Sequence, residues 1–196
     1  MDIYSPDQLA TQRALLINGL PGSGKSMLGE LLKGRLNAPL LSLDTIKEEL
    51  FDTIGTGDRE YNRMLSRASL KVIWAVIGSM PPRSFVMVDA YFGFPPYDRV
   101  ITGLKRAGVQ RVAEIFCFAS GETLAQRYLA RVDQRHPGHL GKEYAPELAE
   151  AANHIRPMGL CPNLSVDTND PTDINLDTIV QWVENQLGLS NNSYSE

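Results

Sequence analysis

Cysteine is almost missing from this chain of 196 residues: Cys117 lies inside an apolar run and Cys161 beside Pro162. Two scattered thiols offer no disulfide framework and fit a reducing compartment. Long apolar runs are missing too. The longest, Val72–Ile77 (VIWAVI), falls far below the roughly 18 residues of a membrane span. The opening stretch MDIYSPDQLATQR has no basic n-region, and Ala14–Ile17 is too short for a signal-peptide core, so a cytoplasmic protein is expected. Twelve prolines and 16 glycines exclude a collagen-like or low-complexity chain. Basic residues are scarce in the last third: residues 143–196 carry one Lys/Arg against nine Asp/Glu, whereas residues 99–142 carry eight against three. With a net charge of −4, this distribution excludes loose coating of nucleic acid and leaves room for an anion bound at one place.

The length suits one domain. Ala14–Asn18 is a short apolar run ending at a Gly/Pro cluster, after which Met27, Leu28, Leu31, Leu32 and Leu36 recur at helical spacing, giving strand, loop and helix. Pro39–Leu43 predicts a second strand, with Asp44 as N-cap of a helix over Thr45–Phe51. Arg59 to Met80 reads as a helix whose second half, with Val72, Ile73, Trp74, Val76 and Ile77, is apolar all round and so buried. Ser84–Val88 is a third strand ending in Asp89, Asp98–Ala107 a helix, and Val112–Phe118 a fourth strand. Ser120 precedes a helix predicted to run through Arg135 to a break at Pro137-Gly138, and Glu143–Ile155 is helical again. Asn163–Val166 and Leu176–Leu187 supply the last strand and helix. The implied layout is an N-terminal extension over 1–12, a domain over 13–188 and a frayed tail over 189–196. Alternating strands and helices imply a three-layer α/β/α fold with a mainly parallel five-stranded sheet and ligands beyond the strands' carboxyl ends.

Gly19-Leu20-Pro21-Gly22-Ser23-Gly24-Lys25-Ser26 matches G-x-x-x-x-G-K-[ST], directly after a strand and before a helix, the context this P-loop motif requires. The chain's own residue frequencies give roughly 0.004 such matches by chance. Glycines let backbone N–H groups turn in around a β-phosphate, and the helix N-terminus adds partial positive charge. Gly22, Ser23, Gly24, Lys25, Ser26 and Met27 are therefore the expected cradle for ATP, with Lys25 on the β/γ oxygens as a catalytic group. The Ser26 hydroxyl and Asp89, at the end of the third strand, would serve Mg²⁺.

Asp52-Thr53-Ile54-Gly55 imitates the D-x-x-G of guanine-nucleotide switches but follows a helix, and N-K-x-D is absent. Ala90 and Tyr91 stand after Asp89 where a chaperone-like ATPase would carry a catalytic Glu. Taken with L-S-L-D-T-I-K-E-E-L at strand two, V-M-V-D-A at strand three and an Arg-rich helix followed by R-H-P-G-H, the chain resembles P-loop kinases of the zeta-toxin, chloramphenicol phosphotransferase and polynucleotide 5′-hydroxyl kinase type over about residues 13–187. The resemblance implies that Asp44 is the general base for an acceptor hydroxyl. Sheet geometry independently borders the γ-phosphate crevice with the end of strand two. Lys47, one turn on, occupies a place where relatives acting on nucleic acid often carry Arg.

Arg127, Arg131 and Arg135 are spaced i, i+4, i+8 and are expected on one helical stripe, pointing one way. The resemblance implies a lid over about 127–142, with Arg127 against adenine, Arg131 on the transferring phosphate as a catalytic group, and Arg135 with His136 towards the acceptor. His139 is a second candidate contact there. His136, His139, His154 and Cys161 suit no structural zinc spacing. Arg63 and Arg67 belong to a second basic row, Arg59 to Lys71, that either meets an anionic acceptor or forms a solvated face paired with Glu60. The expected activity is ATP- and Mg²⁺-dependent transfer of the γ-phosphoryl group to an alcohol hydroxyl. The acceptor is a nucleoside, a nucleotide, a nucleic-acid 5′ end or a small molecule, with no membrane partner. The other reading is a regulatory ATP-binding module that acts through a protein partner, for instance by presenting the Tyr91–Tyr97 loop.

Overall fold

A computed structural model describes residues 12–189; the expected N-terminal extension and tail lie almost wholly outside the described residues. The chain runs β1 (Gln12–Asn18), α1 (Lys25–Leu36), β2 (Leu40–Ser42), α2 (Leu43–Ile54), α3 (Arg59–Ser79), β3 (Phe85–Asp89), α4 (Asp98–Arg106), β4 (Val109–Phe118), α5 (Gly121–Arg131), α6 (Ala145–His154), β5 (Asn163–Asp167) and α7 (Leu176–Leu187). The five strands form one sheet in the order β2-β3-β1-β4-β5, and every neighbouring pair is parallel.

Period-two alternation turns the apolar strands into a two-sided sheet. Ala14 and Leu16 of β1 and Val86 and Val88 of β3 face Ile73, Trp74 and Ile77 of α3 and Val100 and Leu104 of α4. Leu15, Ile17 and Met87 face Leu28 and Leu32 of α1 and Ile179, Val183 and Leu187 of α7. A third cluster, with Leu20, Leu124, Tyr128 and Leu148, packs α5 and α6 beside the end of β4. This is the α/β P-loop kinase fold, with helices on both faces of the sheet. None of the described helices is long and apolar enough to cross a membrane.

Three local expectations are corrected. Val72 and Val76 stay 43% and 38% exposed while Ile73, Trp74 and Ile77 are buried, because α3 packs on the sheet along one stripe only. The N-cap of α2 is Ser42, whose hydroxyl accepts from the Thr45 N–H at 3.4 Å; Asp44 lies inside the first turn, so its carboxylate is free of capping duty. Finally, α5 ends at Arg131 and a single 3-10 turn, Val132–Gln134, follows. Pro137 disfavours helical backbone only at His136 and so does not account for this earlier end; the chain leaves α5 before Arg135 rather than after it.

Candidate active site

Strand register sets the frame. Asp89 at the end of β3 lies level with Ile17 of β1 and with Ser42 of β2, so the glycine loop after β1, Asp89, and the start of α2 meet at one edge of the sheet. The loop takes its shape from its backbone. Gly19, Gly22 and Gly24 have φ of 151°, 88° and 76°, values that side chains of L-residues resist, and a Cβ on Gly19 would stand 2.3 Å from Ser23 Oγ and 2.4 Å from the Cys117 carbonyl oxygen. The Ser23 N–H donates to the Leu20 carbonyl at 3.1 Å. Thr168, buried just beyond β5, has its hydroxyl 3.0 Å from both the Ser23 and Phe118 carbonyls. Arg127 Nη2 donates to the Thr168 and Asn169 carbonyls at 2.6 and 3.1 Å, and Nη1 to the Gly22 carbonyl at 3.4 Å. Arg127 thus binds the glycine loop to the β5–α7 turn.

Below the loop, Asn18 Oδ1 accepts from the N–H groups of Gly19 and Phe92 at 2.8 and 3.3 Å, while its Nδ2 donates to Glu114 Oε1 at 2.8 Å. Glu114, wholly buried in β4, also accepts from the Met158 N–H at 2.9 Å. Burial raises its pKa against the lowering effect of these two donors. One carboxyl therefore ties the entry to the glycine loop to the Tyr91–Tyr97 loop and to the segment after α6.

Ser23 Oγ in the glycine loop, Asp89 Oδ1 at the end of β3 and Arg131 Nε at the end of α5 are buried without a hydrogen-bond partner among the described residues. Asp89 is only 3% exposed. A buried carboxylate oxygen with nothing to bond is costly unless a ligand completes it. Together with the glycine cradle and the Ser26 hydroxyl at the start of α1, it fits a magnesium-bound polyphosphate. Cys117 takes no nucleophilic part, since burial pushes its thiol up to about 12.

Asp44 stands on the far side of Asp89, in the first turn of α2. Arg135 Nη2 donates to its Oδ2 at 3.2 Å, and Lys47 Nζ lies 3.9 Å from Oδ1. Partial burial opposes its ionisation, but Lys25, Lys47, His139 and Arg135 outweigh that and hold its carboxyl below the usual range. Lys25, the first residue of α1, is thus near enough to Asp44 to favour its charged form. Arg131 is half-buried and its pKa is lowered, first by desolvation and then by Arg135, while Asp44 and Asp89 both favour its charged form. Lys47 is 6% exposed, donates to Asn62 Oδ1 and Ser66 Oγ at 3.2 and 3.4 Å, and sits 5.5 Å from the Phe51 ring centre.

The Arg127, Arg131 and Arg135 stripe does not point one way, because Arg135 is off the helix: Arg127 turns to the glycine loop and Arg135 to Asp44. His136 Nε2 lies 3.0 Å from Asp52 Oδ1, and its ring stacks on Phe51 at 5.1 Å. Arg63 and Arg67 are not gathered into this cluster. Both reach Glu60 on the same helix, at 3.7 and 2.7 Å, with exposed side chains. Met27, on the first turn of α1, is 39% exposed. Residues that motif reasoning passed over include Glu48, Asn62 and Thr168. Only the acidic spacing of Asp44, Glu48 and Asp52 was a signal, and it reads equally as a solvated helix face.

Comparison with solved structures agrees with this architecture. A protein from Chloroflexus aurantiacus named as a kinase candidate is 31% identical, covers 90% of this chain and 99% of its own, and superposes with a TM-score of 0.77. Two more distant matches share the fold. A shikimate kinase from Acinetobacter baumannii in complex with shikimate is 20% identical at TM-score 0.58, covering 94% and 97% of the two chains. An APS kinase from Mycobacterium tuberculosis in complex with AMPPNP and APS is 18% identical at TM-score 0.61, covering 91% and 99%. No curated protein matches. A family model described as "AAA domain" matches residues 15–147, from the strand before the glycine loop to the first turn of α6, and the chain belongs to that family.

Proposed function

We propose that this protein is a kinase of the zeta-toxin, chloramphenicol phosphotransferase and polynucleotide 5′-hydroxyl kinase type, which moves the γ-phosphoryl group of ATP to an alcohol hydroxyl. The carrying observation is the pairing, at one edge of the sheet, of a glycine cradle beside the buried Asp89 Oδ1 with an ionised Asp44, neither Asp89 Oδ1 nor Asp44 Oδ1 being hydrogen-bonded by a side chain among the described residues. The backbone of Gly22 to Met27 and Lys25 hold the triphosphate. Asp44 takes the proton from the acceptor O–H as the new O–P bond forms and the bond from γ-phosphorus to the β,γ-bridging oxygen breaks, leaving ADP. Arg131 neutralises charge on the transferring group. Ser26 and Asp89 would hold a magnesium ion, which would supply positive charge to offset that of the phosphate oxygens.

Residues 127–142 act as the lid in this reading, with Arg127 on the nucleotide side and Arg135 and His136 on the acceptor side, inside a kinase domain over 13–188. Among acceptors, a small hydroxyl compound is favoured over a nucleic-acid end. In the α3 basic row Arg63 and Arg67 share Glu60 and Arg59 pairs with Glu147, and Lys47 is buried rather than presented to a phosphate backbone. The solved kinases of shikimate and APS that share the fold act on small compounds, in keeping with this choice.

Screening hydroxyl acceptors with γ-labelled ATP and magnesium tests the proposal: label should move to one chemical class, with little hydrolysis before the acceptor is added. Nucleotide turnover that responds to no acceptor but rises with a protein partner would instead establish the regulatory module.

A further inference from the structure

On α2, Asp44, Glu48 and Asp52 recur every four residues and so share one face. Each meets a residue of the segment after α5: Arg135 on Asp44 at 3.2 Å, His139 on Glu48 at 2.6 Å and His136 on Asp52 at 3.0 Å. Phe51 fills the space between the imidazoles, stacked on His136 and edge-on to His139 at 5.8 Å. The contact is close enough that a Cβ on Gly138 would stand 2.6 Å from the Phe51 ring.

The middle rung carries something the outer two do not. His139 Nδ1 lies 3.0 Å from Arg135 Nη2, the same nitrogen that donates to Asp44 Oδ2. A guanidinium can only donate, so Nδ1 must accept, and the ring proton must sit on Nε2, where it donates to Glu48. Nη2 has two hydrogens, and this arrangement uses one on the carboxylate and one on the imidazole. We propose that His139, as the neutral Nε2–H tautomer held by Glu48, is a positioning residue for the transfer reaction: it aims Arg135 at Asp44 Oδ2 and so leaves Oδ1 to receive the acceptor's proton.

This rests on the reading of Asp44 as the base. The charged groups facing His139 are Arg135 on its own segment and Asp44, Lys47 and Glu48 on α2. Its side chain is 5% exposed. Burial, Arg135 and Lys47 resist a charged imidazole more than Asp44 and Glu48 favour it, and the ring's pKa falls below its ordinary value. Protonating Nδ1 would set an N–H against the guanidinium and free Arg135 from its aim.

The test uses the full-length chain labelled with ¹⁵N-histidine, read by long-range proton–nitrogen NMR, with exposed His154 on α6 as the reference ring. His139 is expected neutral at pH 7 and protonated on Nε2; an Nδ1–H or charged ring overturns the proposal. The second arm measures transfer from γ-labelled ATP to water in His139→Asn, which keeps an acceptor oxygen near the Nδ1 position, and in His139→Leu, which keeps none. Losing an acceptor for a charged donor is expected to lower kcat about 10- to 100-fold in His139→Leu, with KM for ATP unchanged, while His139→Asn stays within about threefold of the native rate. Equal kcat per folded molecule in the two variants overturns the positioning role. Asp44→Asn separates the failures: native turnover in that variant overturns both readings, whereas its inactivity beside equal His139 variants overturns the positioning role alone.

Discussion

Residues 19–27 hold their shape by backbone conformation, whereas residues 135–139 hold theirs by side chains borrowed from α2 and α3. The glycine loop is one contiguous stretch in which positive φ at Gly22 and Gly24 and the crowding at Gly19 decide the path. Its outside help is Thr168, the Arg127 guanidinium and, underneath, Asn18 held by Glu114. The acceptor edge has no such local code. Lys47 needs Asn62 and Ser66 from α3, Asn62 in turn donates to the Gly138 carbonyl, and Arg135 needs Asp44 and His139. Backbone cradles suit a ligand part that never changes, the triphosphate. Side-chain cradles suit the part that differs among kinases of one fold, since an exchanged side chain alters specificity without disturbing the loop.

The largest expected effect lies where both edges share a residue. Lys25→Ala removes the charge from the β/γ oxygens and from the neighbourhood of Asp44 while leaving the glycine backbone intact. Transfer should fall about 10³-fold or more, with the melting temperature kept. A variant with half the native turnover would break the comparison at its base.

Next comes Asp44→Asn, for which turnover should fall about 10²- to 10⁴-fold with ATP affinity little changed. Because Ser42 caps α2, the helix should survive. The charge side has a definite sign. Asp44 ionises below its ordinary value in the folded chain, so its contribution to stability is present above the usual carboxylate range and is lost as pH falls through the lowered pKa. The buried Glu114 has the opposite sign: its raised pKa favours the folded state below the ordinary value, and that gain is lost as pH rises through the raised one. Stability measured from pH 3 to pH 6 in Asp44→Asn and in Glu114→Gln should therefore diverge from wild type in opposite directions, and parallel curves would contradict the assignment.

Glu114 also sharpens the comparison structurally, because it supports the backbone cradle from underneath. Glu114→Leu leaves Asn18 Nδ2 and the Met158 N–H buried without acceptors, at a cost of about 1–3 kcal/mol for each. Urea unfolding should show that loss, and ATP binding should weaken along with stability because Asn18 no longer holds Gly19. A stable variant with normal nucleotide affinity would mean the loop needs no support from β4.

These differences explain what the sequence could disclose. The phosphate loop was legible because its chemistry is contiguous and its residue types are forced by φ. Asp89 was legible because a buried strand ends on it. The parallel five-stranded sheet with helices on both faces followed from alternating strand and helix patterns, whereas the order β2-β3-β1-β4-β5 did not, since alternation leaves open which strands are neighbours. The edge proposed for the acceptor was only partly legible: Asp44 was placed there by position and resemblance, but its freedom from capping depended on Ser42, two residues earlier, being the cap. The end of α5 at Arg131 hid the real direction of Arg135, since helical spacing continues through 135 in the sequence while the backbone changes to a 3-10 turn at Val132–Gln134. Glu48 and His139 were invisible as partners, 91 residues apart, until the fold closed the distance.

The smallest effect is expected from the second basic row. Arg63 and Arg67 share the Glu60 carboxylate at the exposed face of α3, and pairs of this kind, open to solvent and screened by salt, contribute little. The Arg67 bond also lowers the pKa of Glu60, so part of the charge of Arg63 and Arg67 is offset from within the helix before any ligand arrives. Replacing both arginines by glutamine should leave KM for ATP and turnover on a small acceptor within about twofold of native at low and at moderate salt. The measurement is informative because the rival reading differs in kind. An anionic acceptor steered by these residues would show a raised KM that converges on the native value as salt increases, while KM for ATP stays fixed. Such a pattern would move the acceptor edge outward from the α2 face to the α3 face, and the side-chain cradle would then include a row that the folded chain spends on Glu60.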